Sequence, residues 1–236
     1  MNEEPYNLRY IMKTIKTLIV SFNNHISPKD VPLFRGAVIQ SLEDKNVLYH
    51  NHTEDGFRYS YPLIQYKSIE GKATMVCVES GTDTIGEMFK NLQFTFSIKG
   101  KCHQAEVTNI CAYQTTVTCE DTLFHYQLQR WLPLNSTNYA VYNSTESLAI
   151  RVELLEKILI GNIMSFLKGT GIHMDDEIKA SITNIGKERI AHYKDVSLMC
   201  FDISFNSNIR LPHLIGLGKG ASIGFGVLRI KNKTNH

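Results

Sequence analysis

Leu214-Ile215-Gly216-Leu217-Gly218-Lys219-Gly220-Ala221-Ser222-Ile223-Gly224-Phe225-Gly226, running straight into Val227-Leu228-Arg229-Ile230, is the stretch that decides the fold. Five of the fifteen glycines of the chain fall within eleven residues here. Glycine costs backbone entropy, so such clustering points to left-handed φ or to close approach of the backbone to another group. A run of free N–H groups beside Lys219 and Ser222 suits an anion, most naturally a phosphate. The two familiar phosphate loops are excluded. A Walker A loop needs glycine where His213 stands, and Ser or Thr where Gly220 stands. A Rossmann fingerprint follows a strand and opens a helix, whereas this segment runs into a β-type run. What is left is a glycine-rich loop between strands, either an anion cradle or simply a flexible β-loop.

Composition narrows the class. A chain of 236 residues with 43% hydrophobic content can bury one sizeable core or two compact ones. A net charge of +2 gives no global polyelectrolyte signal. The distribution says more: after Asp202 there is no acidic residue, while Arg210, Lys219, Arg229, Lys231 and Lys233 are basic. One basic end on a balanced chain suits a local anionic partner such as RNA, or a solvated tail. The five cysteines form no CxxC pair, which argues against a disulfide framework or zinc knuckle and favours a reducing, cytoplasmic setting. Glu3-Glu4, and Lys13 and Lys16 within the first apolar run, argue against a signal peptide or a membrane span.

Working outward, residues 13–22 read as a first strand, followed by a turn at Asn23-Asn24-His25. Ser27 before Pro28 marks a helix start, and Val31, Phe34, Val38 and Leu42 carry the helix to about Asp44. A hairpin over Val47–His50 and Phe57–Tyr66, a strand at Ala73–Val78, a helix at Thr82–Leu92 and a returning strand at Phe94–Ile98 follow, with 101–118 as an extra β pair. The order β-α-β-β-α-β is that of a ferredoxin-like unit. From Phe124 the pattern partly repeats: a strand to Leu134 with the sole Trp131, a helix from Leu148 to Leu167 ended by Gly169, then extended runs Ile178–Ile185 and Val196–Phe205. Gly186-Lys187-Glu188-Arg189 between those runs predicts a basic-tipped hairpin. No second helix is visible in this half. The class is α+β, with a first domain over 1–120 and a second over 121–236 that carries the loop.

At this point the chain resembles a known family. Arg210-Leu211-Pro212-His213-Leu214-Ile215-Gly216-Leu217-Gly218-Lys219-Gly220 with Gly224-Phe225-Gly226 is similar to the terminal glycine-rich loop of CRISPR-associated repeat-processing endoribonucleases, the Cas-six proteins. Phe34-Arg35-Gly36-Ala37 and Tyr61-Pro62-Leu63-Ile64-Gln65-Tyr66-Lys67 resemble the b-type branch. The resemblance implies tandem ferredoxin-like (RRM-type) domains holding a CRISPR repeat RNA. It also implies metal-independent cutting, in which a ribose 2′-OH attacks the adjacent phosphate and leaves a 2′,3′-cyclic phosphate and a 5′-OH. Some members of the branch carry His-x-His and then a tyrosine seven residues on. His50-Asn51-His52 and Tyr59 match that spacing, and no lysine is placed by motif.

Chemistry read from the residues agrees. Attack by a 2′-OH needs a base for its proton, an acid for the leaving 5′-oxygen and donors to the phosphorane oxygens. Histidine can serve either proton role near neutral pH. His50 and His52, two apart in an extended segment, project to one face, with Tyr59 across the expected hairpin. His25, at the strand-to-helix turn, is the competing catalytic residue. The RNA-binding candidates are Lys187, Arg189, Arg210, Gly216, Gly218, Lys219, Gly220, Ser222, Gly224 and Gly226. No metal and no cofactor is expected. A non-catalytic RNA-holding subunit on the same fold stays open as the alternative, as do a homodimer and association with a CRISPR effector complex.

Overall fold

The computed structural model describes residues 13–41, 52–53, 56–57, 61–90, 94–98 and 101–231. Strand β1 (Lys13–His25) leads through a turn into helix α1 (Val31–Ser41). The helix begins three residues after the expected Pro28. Asp30 receives both Ser27 Oγ (2.5 Å) and Ser27 N–H (3.3 Å) on its carboxylate, and its carbonyl accepts the first helical bonds from Leu33 and Phe34. Asp30 therefore stands at the N-cap position, its carbonyl opening the helical ladder while its carboxylate turns back to fix Ser27. Two short strands, β2 (His52–Thr53) and β3 (Gly56–Phe57), pair with each other. Next come β4 (Ile64–Ile69), β5 (Lys72–Val78), α2 (Ser80–Lys90), β6 (Phe94–Ile98), β7 (Lys101–Ala105) and β8 (Val107–Val117).

The first sheet has the order β4-β5-β1-β8, antiparallel at every junction. That is the ferredoxin-like arrangement, with two departures from the sequence reading. The fourth strand is β8, whereas Phe94–Ile98 pairs with β7 in a separate hairpin. The hairpin strand expected at Phe57–Tyr66 is replaced by Gly56–Phe57 and Ile64–Ile69. Strand alternation divides the sheet. Val20, Phe22, Ile64, Tyr66, Met75 and Cys77 pack beneath Val31, Phe34 and Val38 of α1 and Ile85 of α2. The opposite face turns Ile15, Val78 and Val117 into the core of the second half.

The second half repeats the topology. Strand β9 (Cys119–Trp131) is followed by α3 (Ser136–Ser144), α4 (Leu148–Gly169), β10 (Ala180–Ile185), β11 (Arg189–Tyr193), β12 (Val196–Ile209) and β13 (Val227–Ile230). Its sheet runs β10-β12-β9-β13, the same order as the first, and β11 pairs with the N-terminal part of β12. Leu155, Leu159, Ile163 and Phe166 put one face of α4 on this sheet, against Tyr126, Leu128, Ile203 and Phe205. Gly169 is the last residue of α4 and not the residue after it. A Cβ there would lie 2.2 Å from Cβ of Tyr61, so glycine is what lets the two halves meet. Where the first half has α2, the second has only the glycine-rich segment with a 3-10 turn at Ala221–Ile223. Among the described residues no helix is long and apolar enough to cross a membrane, and all five cysteines are free thiols.

Candidate nucleic-acid interface

The glycine-rich segment is a wedge between the halves. At its base, Gly216 is held on both sides by the first half. Its N–H donates to Gln65 Oε1 (2.8 Å), and its carbonyl accepts from Tyr61 Oη (2.9 Å), which itself accepts from Gln65 Nε2 (2.7 Å). This network is buried, and burial pushes the Tyr61 phenol well above its ordinary pKa despite the hydrogen bonds from Gln65 and to Gly216. The phenol therefore stays a neutral donor. Tyr61 and Gln65 belong to the Tyr61–Lys67 motif, so one role of that motif is to seat the loop.

Gly218, Gly220, Gly224 and Gly226 all adopt left-handed φ. Gly226 shows why the position is restricted. Its φ is 60°, its N–H donates to the Arg130 carbonyl (3.0 Å), its carbonyl accepts from Leu217 N–H (2.8 Å), and a Cβ would lie 1.9 Å from the Leu217 carbonyl oxygen. Much of the glycine content thus serves the loop's own packing. The tip differs. Lys219 is exposed, Ser222 is partly exposed, and among the described residues no main-chain acceptor takes the N–H of Gly218, Lys219 or Gly220.

The tip packs on the β11–β12 hairpin through Tyr193 and Phe225, whose rings meet edge to face at 5.9 Å. Beside this contact opens a cleft of about 510 Å³. Pro28, Lys29 and Pro32 line it from the entry to α1, Arg189, Ile190 and His192 from β11, Lys194 from the turn after β11, and Arg130, Ile223 and Phe225 complete the lining. Lys29, Arg130, Arg189 and Lys194 are cations, and among the described residues no carboxylate lines the cleft. Arg189 is ion-paired with Asp202 behind it.

The other expected residues scatter. Lys187 is exposed, and together with Arg189 it flanks the break between β10 and β11 and not a hairpin tip. The tip is Lys194-Asp195, because β10 pairs with the far half of β12 and β11 with the near half. Arg210 is not brought to the cleft. It lies beyond the other end of β12, ten residues past Cys200, or about 33 Å at ~3.3 Å per residue. There its Nη2 meets Glu120 Oε1 at 3.1 Å and its guanidinium covers Phe124 at 4.9 Å. His25, exposed at the end of β1, pairs with Lys72 and does not line the cleft. His50 and Tyr59 lie outside the described residues; His52 opens β2, opposite Phe57.

Sequence reasoning missed Arg130, Lys29 and His192, since nothing in their local pattern places them together. His213, which stands inside the glycine motif, is committed to the main chain. Its Nδ1 accepts from Ile230 N–H at 3.2 Å, and burial, then Arg229, hold its pKa below the ordinary value.

Comparison with known proteins agrees with this architecture. The Cas6b N-terminal domain model matches residues 13–116 and the Cas6b C-terminal domain model residues 118–230. An uncharacterised protein of Methanocaldococcus jannaschii is 28% identical over 151 residues, covering 62% of this chain and 99% of that protein. A crystal structure of Cas6b is 26% identical with a TM-score of 0.85, covering 93% of this chain and all of that one. Another, of CRISPR RNA processing endoribonuclease Cas6b, is 23% identical with a TM-score of 0.72 over the same shares. Two models of one family, matched in order across both halves of a tandem ferredoxin-like chain, lead to one assignment: the chain belongs to the Cas6b family.

Proposed function

We propose that this protein is an endoribonuclease that cuts precursor CRISPR RNA within its repeats, without a metal, by attack of a ribose 2′-OH on the adjacent phosphate. The observation that carries the reading is the cationic cleft between the α1 entry, the glycine loop and β11, set in a Cas6b-family chain. Lys29, Arg189 and Lys194 on its walls suit phosphates, and the free N–H groups near exposed Lys219 suit another. Such contacts recognise an RNA stem by backbone and shape more than by base edges.

For the chemistry we assign His50, His52 and Tyr59. One histidine takes the 2′-OH proton while the 2′-oxygen forms a bond to phosphorus. The other protonates the 5′-oxygen as the P–O5′ bond breaks, and the Tyr59 hydroxyl donates to a phosphorane oxygen. The atoms balance with no water consumed, leaving a 2′,3′-cyclic phosphate and a 5′-OH. In the chain these three residues follow α1, whose entry supplies one wall of the cleft.

Incubating purified protein with repeat RNA in excess chelator tests the reading. Expected is a single cut with a cyclic-phosphate end. A strict requirement for magnesium or manganese overturns the mechanism. Tight RNA binding with no cutting under any condition leaves the RNA-holding subunit instead.

A further inference from the structure

Arg130 stands where three features meet. The register between β9 and β12 passes from Leu128 opposite Ile203 to Trp131 opposite Phe201, so β9 carries an extra residue here. A bulge of this kind re-aims a side chain. Arg130 adopts φ 53°, a conformation strained for any residue but glycine, and it is held there from both sides. Its N–H donates to Asp202 Oδ1 at 2.7 Å, and its carbonyl accepts from Gly226 N–H at 3.0 Å. The re-aimed guanidinium lies over the Phe225 ring at 4.3 Å. Its Nη1 donates to the Gly224 carbonyl at 3.2 Å and reaches the Pro28 carbonyl at 3.5 Å. Gly224 belongs to the glycine loop, and Pro28 to the turn that starts α1 in the other half of the chain.

We propose that Arg130 is a positioning residue, whose guanidinium locks the glycine loop to the entry of α1 and so fixes RNA held by the loop relative to the first half of the chain. This rests on the function proposed above. A lysine does not replace the guanidinium, because an ammonium has no flat face to lie on the Phe225 ring and so hold its donors at these two carbonyls. Nor is the strained backbone explained by packing alone, because a glycine would adopt the same φ without strain. The strain persists because the side chain is needed.

That last point supplies the test. In Arg130→Gly the backbone keeps or relaxes its conformation while the guanidinium is lost, so a folded variant is expected. Three quantities are measured beside the wild type and Arg130→Lys: amide hydrogen exchange at Phe225 and Gly226 without RNA, affinity for repeat RNA, and single-turnover cleavage at saturating protein. Expected for Arg130→Gly are faster exchange at those amides, affinity within about threefold of wild type, and cleavage slower by roughly 10–100-fold, the scale of a small misplacement of reacting groups. Arg130→Lys should stay slow. Wild-type cleavage in Arg130→Gly, full rescue by Arg130→Lys, or affinity falling in parallel with rate overturns the proposal; the last would make Arg130 an RNA ligand. If the wild type itself cuts no repeat RNA, the proposed function has failed, and unchanged amide exchange would then sink the latch separately.

Discussion

Replacing Lys67 by methionine should make the protein more stable, and by an amount that depends on pH. Lys67 lies on β4 with no exposed surface, and among the described residues its Nζ has no hydrogen-bond acceptor. Two residues after Gln65, it shares the face that meets the glycine segment, and a Cβ on Gly224 would lie 3.6 Å from its Cα. Burial pulls the amine from 10.5 down to about 7. The unfolded chain therefore binds a proton below pH 10.5 that the folded chain binds only below about 7. Between those values the unfolded state holds the extra proton, so stability rises with pH; below about 7 both states are protonated and the loss is full and flat. At ~1.36 kcal/mol per tenfold change in proton affinity, the loss at neutral pH has an upper figure of about 5 kcal/mol, and relaxation around the charge brings it toward 2–3. Methionine is unbranched like lysine and one atom shorter, and it removes the charge. Urea unfolding of both proteins at pH 7, 8, 9 and 10 reads the effect as a difference, which cancels every other titrating group. Lys67→Met should be more stable by about 2–5 kcal/mol at pH 7, with the gap closing toward pH 10.5. Parallel pH profiles, or a variant less stable at pH 7, would refute the account and imply that an acceptor reaches Nζ.

Gly226→Ala should lose at least about 2 kcal/mol of stability in the absence of any RNA, since its Cβ would meet the Leu217 carbonyl; an unchanged melting temperature would show that the loop yields. Lys219→Ala, at an exposed site, should leave melting unchanged and lower the salt slope of RNA binding by about one, the value for one phosphate contact. Single replacements of His50 and His52 by Ala should slow single-turnover cleavage by about 10²–10⁴-fold at nearly constant affinity, His52 more than His50, with Tyr59→Phe milder. If His25→Ala abolishes cutting while the double His50, His52 variant stays active, the reaction belongs at the end of β1.

What was legible in the sequence was what local periodicity dictates. The first strand and the apolar stripe of α4 stand in the structure, whereas the latter half does hold a second helix, α3, whose polar sequence buries only Tyr142 and so shows no apolar stripe. The other errors come where the competition is non-local. Phe94–Ile98 and Val107–Val117 are both strand-like runs, and only pairing along β1 from Lys13 to Phe22 selects the second as the fourth strand. Arg189 was expected at a hairpin tip because Gly186 precedes it. The strand simply bends there, and Gly186 N–H donates to the Asp202 carbonyl at 2.7 Å. Arg210 looked like part of the loop because it borders it in sequence, but a fourteen-residue β12 carries it to the far end of the sheet.

The glycine motif was read as a surface waiting for RNA, and the structure divides that role. Gly216 and Gly226 are spent on the loop's own anchorage, to Gln65 and Tyr61 of the first half and to Leu217 and Arg130 of the second. Around exposed Lys219, by contrast, the N–H groups of Gly218, Lys219 and Gly220 meet no main-chain acceptor among the described residues. The two parts depend on each other. A tip with unsatisfied donors holds a phosphate in a defined place only if its base cannot rock, and the base is fixed to both halves at once. The loop therefore stands where the second half lacks a helix: an α-helix there would satisfy its own N–H groups from within and leave none along its length for a ligand. Replacing it by a pinned, glycine-bearing wedge keeps the topology of the sheet while freeing main-chain donors beside a cationic cleft.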